Sequence, residues 1–239
     1  MPKPRSTAPG DRPQPAPVGL LLPSTRVPRT PDPDVSDWHG LSPSQLAYLI
    51  RRYTDAGDVV LDLDAHPTAI AATAYLRRIP ARLSTGRHGP RVLLPPVPSR
   101  RNRLVARRTG ACVDLMMATL PLGTERRAPD GAATAMSTWQ PLLRPGGFLL
   151  VGLTTAPPHP GAVSHRATVI AAARAAGFFY HQHIPAVLVP LVEHEPRTAP
   201  ERPDEADDGR RLLAGRHLPT FRDLVVFGTT ATGEEIARA

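Results

Sequence analysis

Runs of consecutive apolar residues alternate along this chain with segments of helical periodicity. Unbroken runs of about four to eight such residues are typical of strands that are buried on both faces of a parallel sheet. The strand candidates are 59–63, 81–85, 92–94, 113–120, 148–153, 178–190 and 223–229, and the helix candidates are 41–53, 68–78, 132–143 and 165–176. The alternation predicts an α/β fold with a mostly parallel sheet of seven strands and helices on both faces.

The best-defined local unit begins at Ser42. Ser42 followed by Pro43 is typical of a helix start, because the hydroxyl can cap the first turn and proline is tolerated there. Gly57 and Asp58 then turn the chain into the apolar run 59–63, which an alanine-rich helical segment follows. Strand, tight turn and helix in this order form half of a βαβ unit.

Composition separates one domain from less apolar flanking segments. Ten of the 30 prolines in the 239 residues fall before residue 34. We expect a disordered proline-rich tail at 1–35, one domain at 36–230 with a disordered loop at 193–212, and a C-terminal tail at 231–239. The apolar cluster at 18–22 is too short to cross a bilayer or to form a signal-peptide core, so the sequence predicts a cytoplasmic protein without membrane contact.

The net charge of +8 comes almost wholly from arginine. Such a charge favours a polyanion such as nucleic acid, although arginine richness also accompanies GC-rich genomes. Five arginines stand close together in 99–108, a segment with helical propensity. They are Arg100, Arg101, Arg103, Arg107 and Arg108. Two interpretations stay open for them, a solvated helix face and a patch that contacts phosphates.

Cysteine and histidine give little indication of a metal site. Cys112 is the only cysteine, which excludes an intramolecular disulfide and a multi-cysteine metal site, and it precedes a strand candidate. We therefore expect it to be a buried core residue. His181 and His183 are two positions apart, which places them on one face of a strand. No third ligand stands in register with them, so packing is predicted and no metal is expected.

Four segments, in order, resemble actinobacterial DNA methylases that act on exocyclic amino groups, a branch of the class I S-adenosylmethionine (SAM) methyltransferases. The segment 53–62 (YTDAGDVVLD) is similar to the entry into their SAM-binding motif, and 114–123 (DLMMATLPLG) to their catalytic segment. The segment 142–151 (LLRPGGFLLV) resembles the start of their fifth strand, and 181–184 with 221–227 resembles their closing strands. The resemblance covers residues 42–227 and implies a Rossmann-like class I methyltransferase fold.

The resemblance implies SAM as the cofactor, bound at the carboxyl end of the strand 59–63. The cofactor-binding residues that it carries over are Asp62, Asp64, His66, Thr68 and Ser84. Asp62 and Asp64 also have a second interpretation, as carboxylates that cap the following helix.

This chain departs from the family at three of these positions. Glycines stand in the family where His66 and Thr68 stand here, and Pro67 between them removes an amide donor. The acidic residue that binds the ribose hydroxyls in the family aligns with Ser84 or Thr85.

The resemblance also carries over Thr119 and Pro121 as catalytic residues. In the family, the polar residue and the proline carbonyl of this segment align the target amine, and an aromatic ring stacks on the flipped base. Leu120 and Leu122 stand here in place of the first proline and the aromatic residue.

Two functions remain open at this stage. The first is a SAM-dependent methyltransferase, related to DNA methylases, whose catalysis is attenuated or lost. The second is a noncatalytic scaffold that binds nucleic acid or a protein partner through the basic segment 100–108. A nucleotide-binding oxidoreductase fits the fold class but lacks a glycine-rich dinucleotide turn.

Overall fold

The computed structural model describes residues 18–22, 38–87, 89–95, 107–108, 110–120, 129–153, 163–188, 212–213, 216–217 and 221–230. Its helices are α1 (Pro43–Tyr53), α2 (Pro67–Tyr75), α3 (Pro129–Trp139) and α4 (His165–Ala175), with a 3-10 turn at Gln140–Leu142. Its strands are β1 (Val59–Asp62), β2 (Ile79–Gly86), β3 (Gly89–Leu93), β4 (Arg107–Arg108), β5 (Val113–Leu120), β6 (Leu143–Leu153), β7 (Phe179–Val187), β8 (Leu212–Leu213), β9 (Arg216–His217) and β10 (Phe221–Gly228).

Eight of these strands form one sheet in the order β4-β3-β2-β1-β5-β6-β10-β7. The strands β2, β1, β5 and β6 at its centre run parallel, while β10 and β7 on one side, and β3 and β4 on the other, pair antiparallel. The predicted Rossmann-like α/β fold is confirmed.

Two details of the predicted sheet are wrong. The sheet has eight strands rather than seven, and it is mixed, because β3 and β10 run antiparallel to the strands on either side of them. On the β2 side the reason is the length of the connection: Gly86 pairs with Gly89 across a two-residue turn. A parallel crossover needs a dozen residues or more, so a connection this short forces a hairpin.

Helices cover both faces of the sheet, as predicted. On one face, called here the α1 face, α1 and α2 pack with buried side chains of β1, β5, β6, β7 and β10. On the other, the α3 face, α3 and α4 pack with the opposite side chains of the same sheet. Cys112 is 3% exposed and belongs to the second core, which confirms the prediction that it is a core residue.

The prediction of a disordered tail at 1–35 is wrong for residues 18–22. Gly19 and Leu21 donate backbone hydrogen bonds to the carbonyls of His183 and Pro185, and Val187 donates one to Leu21. The Leu21 side chain is buried in the core of the α1 face. Residues 18–22 therefore extend the sheet by pairing with the open edge of β7, which is distant in the sequence. The rest of this tail, the residues 189–211 and the C-terminal tail 231–239 lie outside the described residues.

The basic segment is not helical where the structure describes it. Arg107 and Arg108 form β4 and pair with Leu93 and Val92 at the edge of the sheet. The backbone groups of β3 would otherwise be unpaired at this edge. Pairing with them outweighs the local helical propensity of Arg107 and Arg108. Arg100, Arg101 and Arg103 lie outside the described residues.

His181 and His183 do not share a face of β7. The pairing of β7 with β10 shifts by one residue between Gln182 and Tyr180, which is a β-bulge at His181. The ring of His181 contacts Phe148, with ring centroids 5.0 Å apart, while His183 pairs with Asp223 on the α3 face. The extra residue reverses the alternation of side chains, which the spacing of two could not reveal.

Candidate functional site

The carboxyl ends of β1 and β5 lie side by side. We call the place between them the crevice, because the resemblance implies a cofactor at the end of β1 and the catalytic Thr119 at the end of β5. Asp62, the last residue of β1, pairs with Met117 of β5, so Thr119 follows at the same edge of the sheet. β1 is buried along its whole length because strands flank it on both sides and both of its faces are covered. The two strand ends that the resemblance assigns to the site therefore meet at one edge of the sheet.

The Asp62 carboxylate is buried and holds the loop that follows β1. It accepts hydrogen bonds from the backbone N–H of His66 at 2.8 Å and of Asp64 at 3.4 Å. The indole Nε1 of Trp38 donates a third, at 3.4 Å. Burial raises the pKa of Asp62, although these donors oppose the rise. Its side chain therefore acts as a loop-capping carboxylate, which is the structural interpretation of this residue.

Asp64 is the centre of a small polar cluster. Its Oδ2 accepts a hydrogen bond from the Thr119 hydroxyl at 2.9 Å and lies 2.9 Å from His39 Nε2. Burial raises the pKa of Asp64, but the hydrogen bonds from His39 and Thr119 outweigh burial and lower it overall. An ionised carboxylate can only accept hydrogen bonds, so this contact requires a hydrogen on Nε2 of His39.

A tight turn before α1 brings His39 to this cluster. Trp38 and Leu41 exchange two backbone hydrogen bonds, with His39 and Gly40 between them at φ of 50° and 92°. Positive φ at both central residues is the geometry of a type I′ turn, which favours glycine and is strained for histidine. We call Trp38–Leu41 the crevice turn.

Trp38 fills space at the end of β6. It is fully buried, and a Cβ placed on Gly152 would lie 3.5 Å from its ring and 3.4 Å from the Thr119 methyl group. The indole of Trp38 therefore packs directly over Gly152, at a distance where even an added methyl group would be in ordinary van der Waals contact. Trp38 and His39 belong to the site although neither was predicted from the sequence; the local indication in the sequence is Gly40, which suits the turn.

The backbone amides at the start of α2 find hydrogen-bond acceptors within the helix start itself. The His66 ring caps the helix, since its Nδ1 accepts from the Thr68 N–H at 3.3 Å, and the carbonyl of His66 accepts from the next two amides, those of Ala69 and Ile70. Pro67 occupies the first helical position and offers no amide. A cofactor carboxylate could bind at this helix start only if the backbone amides of the first turn were free to donate to it.

The chain's residues do not fit SAM in the way that the resemblance implies. The family uses glycines so that backbone amides can approach the cofactor. Here His39 and His66 stand at the crevice, with ring centroids 5.9 Å apart, and the two carboxylates are engaged by groups of the same chain.

The remaining predicted site residues do not join this cluster. Ser84 lies in the β2–β3 hairpin opposite Arg91, and within the described part of the chain no hydrogen bond links it to the residues above. Thr68 is buried beneath the start of α2. Pro121 lies outside the described residues.

A concavity lies at the opposite edge of the sheet from these residues. This cavity, of about 350 Å³, is lined by the end of α1, the loop before β1 and the start of β6. It holds Asp55, Asp58 and Asp114 together with Arg51 and Arg52. Asp114 is engaged there by Arg144 at 3.0 Å and by the Val59 N–H at 2.7 Å.

The described ranges contain neither a metal cluster nor a membrane-spanning helix. No group of three or more histidine, cysteine or acidic side chains is placed to hold a metal ion there. No helix in those ranges has the length and apolarity needed to span a membrane. The predicted cytoplasmic location stays a prediction.

Comparison with known proteins gives structural similarity alone. No protein-family model matches the chain, and no curated protein matches it. A geranyl diphosphate methyltransferase in complex with SAM is 11% identical, with a TM-score of 0.45, over 83% of this chain and 93% of that one.

Two other solved structures are similar at the same level. The geranyl diphosphate C-methyltransferase from Streptomyces coelicolor A3(2), in complex with Mg²⁺, geranyl diphosphate and S-adenosyl-L-homocysteine, is 14% identical, with a TM-score of 0.44, over 83% of this chain and 88% of that one. A methyltransferase from Pyrococcus furiosus is 9% identical, with a TM-score of 0.40, over 80% and 84%. These similarities say nothing about the activity of this chain.

Proposed function

We propose that this protein is a SAM-methyltransferase-like scaffold, related to DNA methylases, in which catalysis is attenuated or lost. The observation that carries this proposal is the closure of the crevice by the chain itself. Asp64 bonds to His39 and Thr119, so that the residues expected to contact a cofactor and a substrate bind each other instead.

The departures at the start of α2 support the same conclusion. A cofactor would need the Thr68 amide, which the His66 ring occupies, and the Asp62 carboxylate, which the indole of Trp38 and the loop amides occupy. Each contact given up would have to be replaced by one of equal quality, because a buried polar group that loses its partner costs about 1–3 kcal/mol.

Calorimetric titration of the full chain with SAM and with S-adenosylhomocysteine tests this proposal. We expect no binding heat at ligand concentrations up to about 1 mM, a range in which even a weak complex worth about 4 kcal/mol is detected. A SAM-binding methyltransferase in the same buffer is the positive control, and circular dichroism verifies that the titrated protein is folded. Saturable micromolar binding, or methyl transfer to DNA, would contradict the proposal.

The nucleic-acid partner is a second proposal, which the arginine-rich segment 100–108 and the charge of +8 support. If it is right, the logarithm of the DNA-binding constant falls linearly with the logarithm of salt concentration, because bound arginines release counterions. Substituting Arg100, Arg101 and Arg103 by glutamine should reduce that slope. Equal affinity of this variant and the parent protein at every salt concentration would exclude the segment as the contact.

A further inference from the structure

Arg222 of β10 carries a buried nitrogen without a partner. Among the described residues, its Nε is the one buried side-chain nitrogen or oxygen that makes no hydrogen bond. The side chain as a whole is only partly buried. An N–H that is removed from water without an acceptor is nevertheless costly, and such a group in a folded protein requires an explanation. Burial lowers the pKa of Arg222, which is the direction expected for a cation that lacks a counter-charge.

Among the described residues, the carboxylates at this edge of the sheet are already engaged. Asp223 is the next residue, but side chains alternate along a strand, and its carboxylate lies on the α3 face, 2.8 Å from His183 Nε2. Asp62 and Asp64 bind the loop amides, the crevice turn and Thr119. None of them supplies the acceptor that the buried Nε lacks.

Arg222 lies at the same edge and on the same face as the candidate site. Leu224 pairs with Gly152 near the end of β6, and β10 runs antiparallel to β6, so Arg222 extends two residues further toward the carboxyl edge. It shares the α1 face with Leu224, and Trp38 packs over Gly152 on that face. Two strand spacings, about 10 Å, separate β10 from β5.

We propose that Arg222 binds the oxyanion of a small ligand, a phosphate or a carboxylate, beside the crevice turn. A guanidinium offers a planar fork of N–H donors that matches two oxygens of such a group. An anion would supply both the missing acceptor and the missing counter-charge. The proposal goes beyond the proposed function, since it concerns neither SAM nor catalysis and depends on Arg222 alone.

Thermal unfolding of the full chain in the presence of inorganic phosphate, or of malonate as a carboxylate probe, tests the site. Sodium chloride at matched ionic strength is the reference. Because a ligand that binds only the folded state raises the Tm with its concentration, we expect a Tm that rises with the logarithm of the concentration of one of the two probes. The probe with the larger effect identifies the preferred oxyanion.

Three variants assign that response. Arg222→Met should abolish it and, in probe-free buffer, should unfold at a higher Tm than the parent protein, because a partly buried cation with an unpaired N–H is replaced by an apolar side chain. Arg222→Lys keeps the charge without the fork and should weaken the response. Arg174→Met removes an exposed arginine of α4 and should leave the response unchanged.

Three results would overturn the proposal. One is a parent protein whose Tm depends on ionic strength alone. Another is an undiminished phosphate or malonate response in Arg222→Met and Arg222→Lys. The third is a loss of stability in Arg222→Met without any response of the parent protein, which would show that a carboxylate of this chain already pairs with the guanidinium. A SAM titration without heat affects none of these outcomes, so the two proposals fail separately.

Discussion

Two aspartates only two positions apart have opposite electrostatic environments. Asp62 is buried at the end of β1, and burial raises its pKa. Asp64 is also partly buried, but its donors His39 and Thr119 prevail over burial and lower its pKa. Since both carboxylates bind groups of the same chain, they act mainly on the stability of the fold around the loop after β1.

Asp64→Asn should weaken the acid sensitivity of the fold. A carboxylate whose pKa is lowered by folding contributes stability above its unfolded pKa of about 4, and that stability is lost as pH falls through the lower folded value. Asp62 contributes with the opposite sign, since its stability is present below the unfolded pKa and is lost as pH rises through the folded value.

Urea unfolding at a series of pH values between about 2 and 7 measures the effect. At neutral pH, Asp64→Asn should cost about 1–2 kcal/mol, because the hydrogen bonds to a charged acceptor weaken. Asp55→Asn is the matched control, an exposed aspartate at the opposite edge of the sheet. Identical acid limbs for the parent protein and Asp64→Asn would show that Asp64 does not stabilise the loop.

Gly147 is a glycine for reasons of space. A Cβ at this position would lie 3.0 Å from the carbonyl oxygen of Arg144, 3.1 Å from that of Asp114 and 3.2 Å from that of Val113. Gly147→Ala should therefore lower the free energy of unfolding by about 1–3 kcal/mol, since backbone atoms have to move. Gly131→Ala, in α3 where nothing lies within 4 Å, should instead raise it by up to about 1 kcal/mol. Equal effects in chemical denaturation would contradict this account.

At the scale of elements, α1 has the most complete local determinants. Ser42 accepts from the Gln45 N–H while the Gln45 side chain accepts from the Ser42 N–H, which is a capping box. The buried face of the helix, Leu46, Leu49, Ile50 and Tyr53, follows the helical spacing of its apolar residues. Both features are visible in the sequence.

Ser42→Ala should destabilise the protein by about 1 kcal/mol, because the helix loses its cap. Ser137→Ala is the matched control, since Ser137 is exposed within α3 and alanine is the better helix former there. Thermal unfolding of the two variants checks the prediction. A Ser42→Ala protein as stable as the Ser137→Ala protein would mean that packing alone holds α1.

At the scale of the whole molecule, the segment 18–22 adds to the edge of the sheet beside β7. Removing residues 1–17 and removing residues 1–22 should therefore have different consequences. The longer truncation loses three backbone hydrogen bonds to β7 and the buried Leu21 side chain, a burial worth about 2 kcal/mol. Urea unfolding of both truncated proteins measures the difference, and superimposable curves would show that the segment contributes nothing.

The amino-acid sequence by itself determined the order of the main helices and strands, the central place of β1 and the meeting of the ends of β1 and β5 at one edge of the sheet. Those features follow from apolar periodicity and from caps, which act within a few residues. The β2–β3 hairpin could also be predicted from the sequence, because too few residues lie between Thr85 and Val92 for a parallel crossover connection.

Only the tertiary structure decided which residues of the site contact one another. The contacts of Asp64 with His39 and Thr119 join residues 25 and 55 positions away, and the bulge at His181 depends on how β7 pairs with β10. The strand-like placement of residues 18–22 and 107–108 likewise depends on open sheet edges elsewhere in the fold. Local patterns hold no information on such pairings, because the energy that stabilises them appears only once distant segments are brought together.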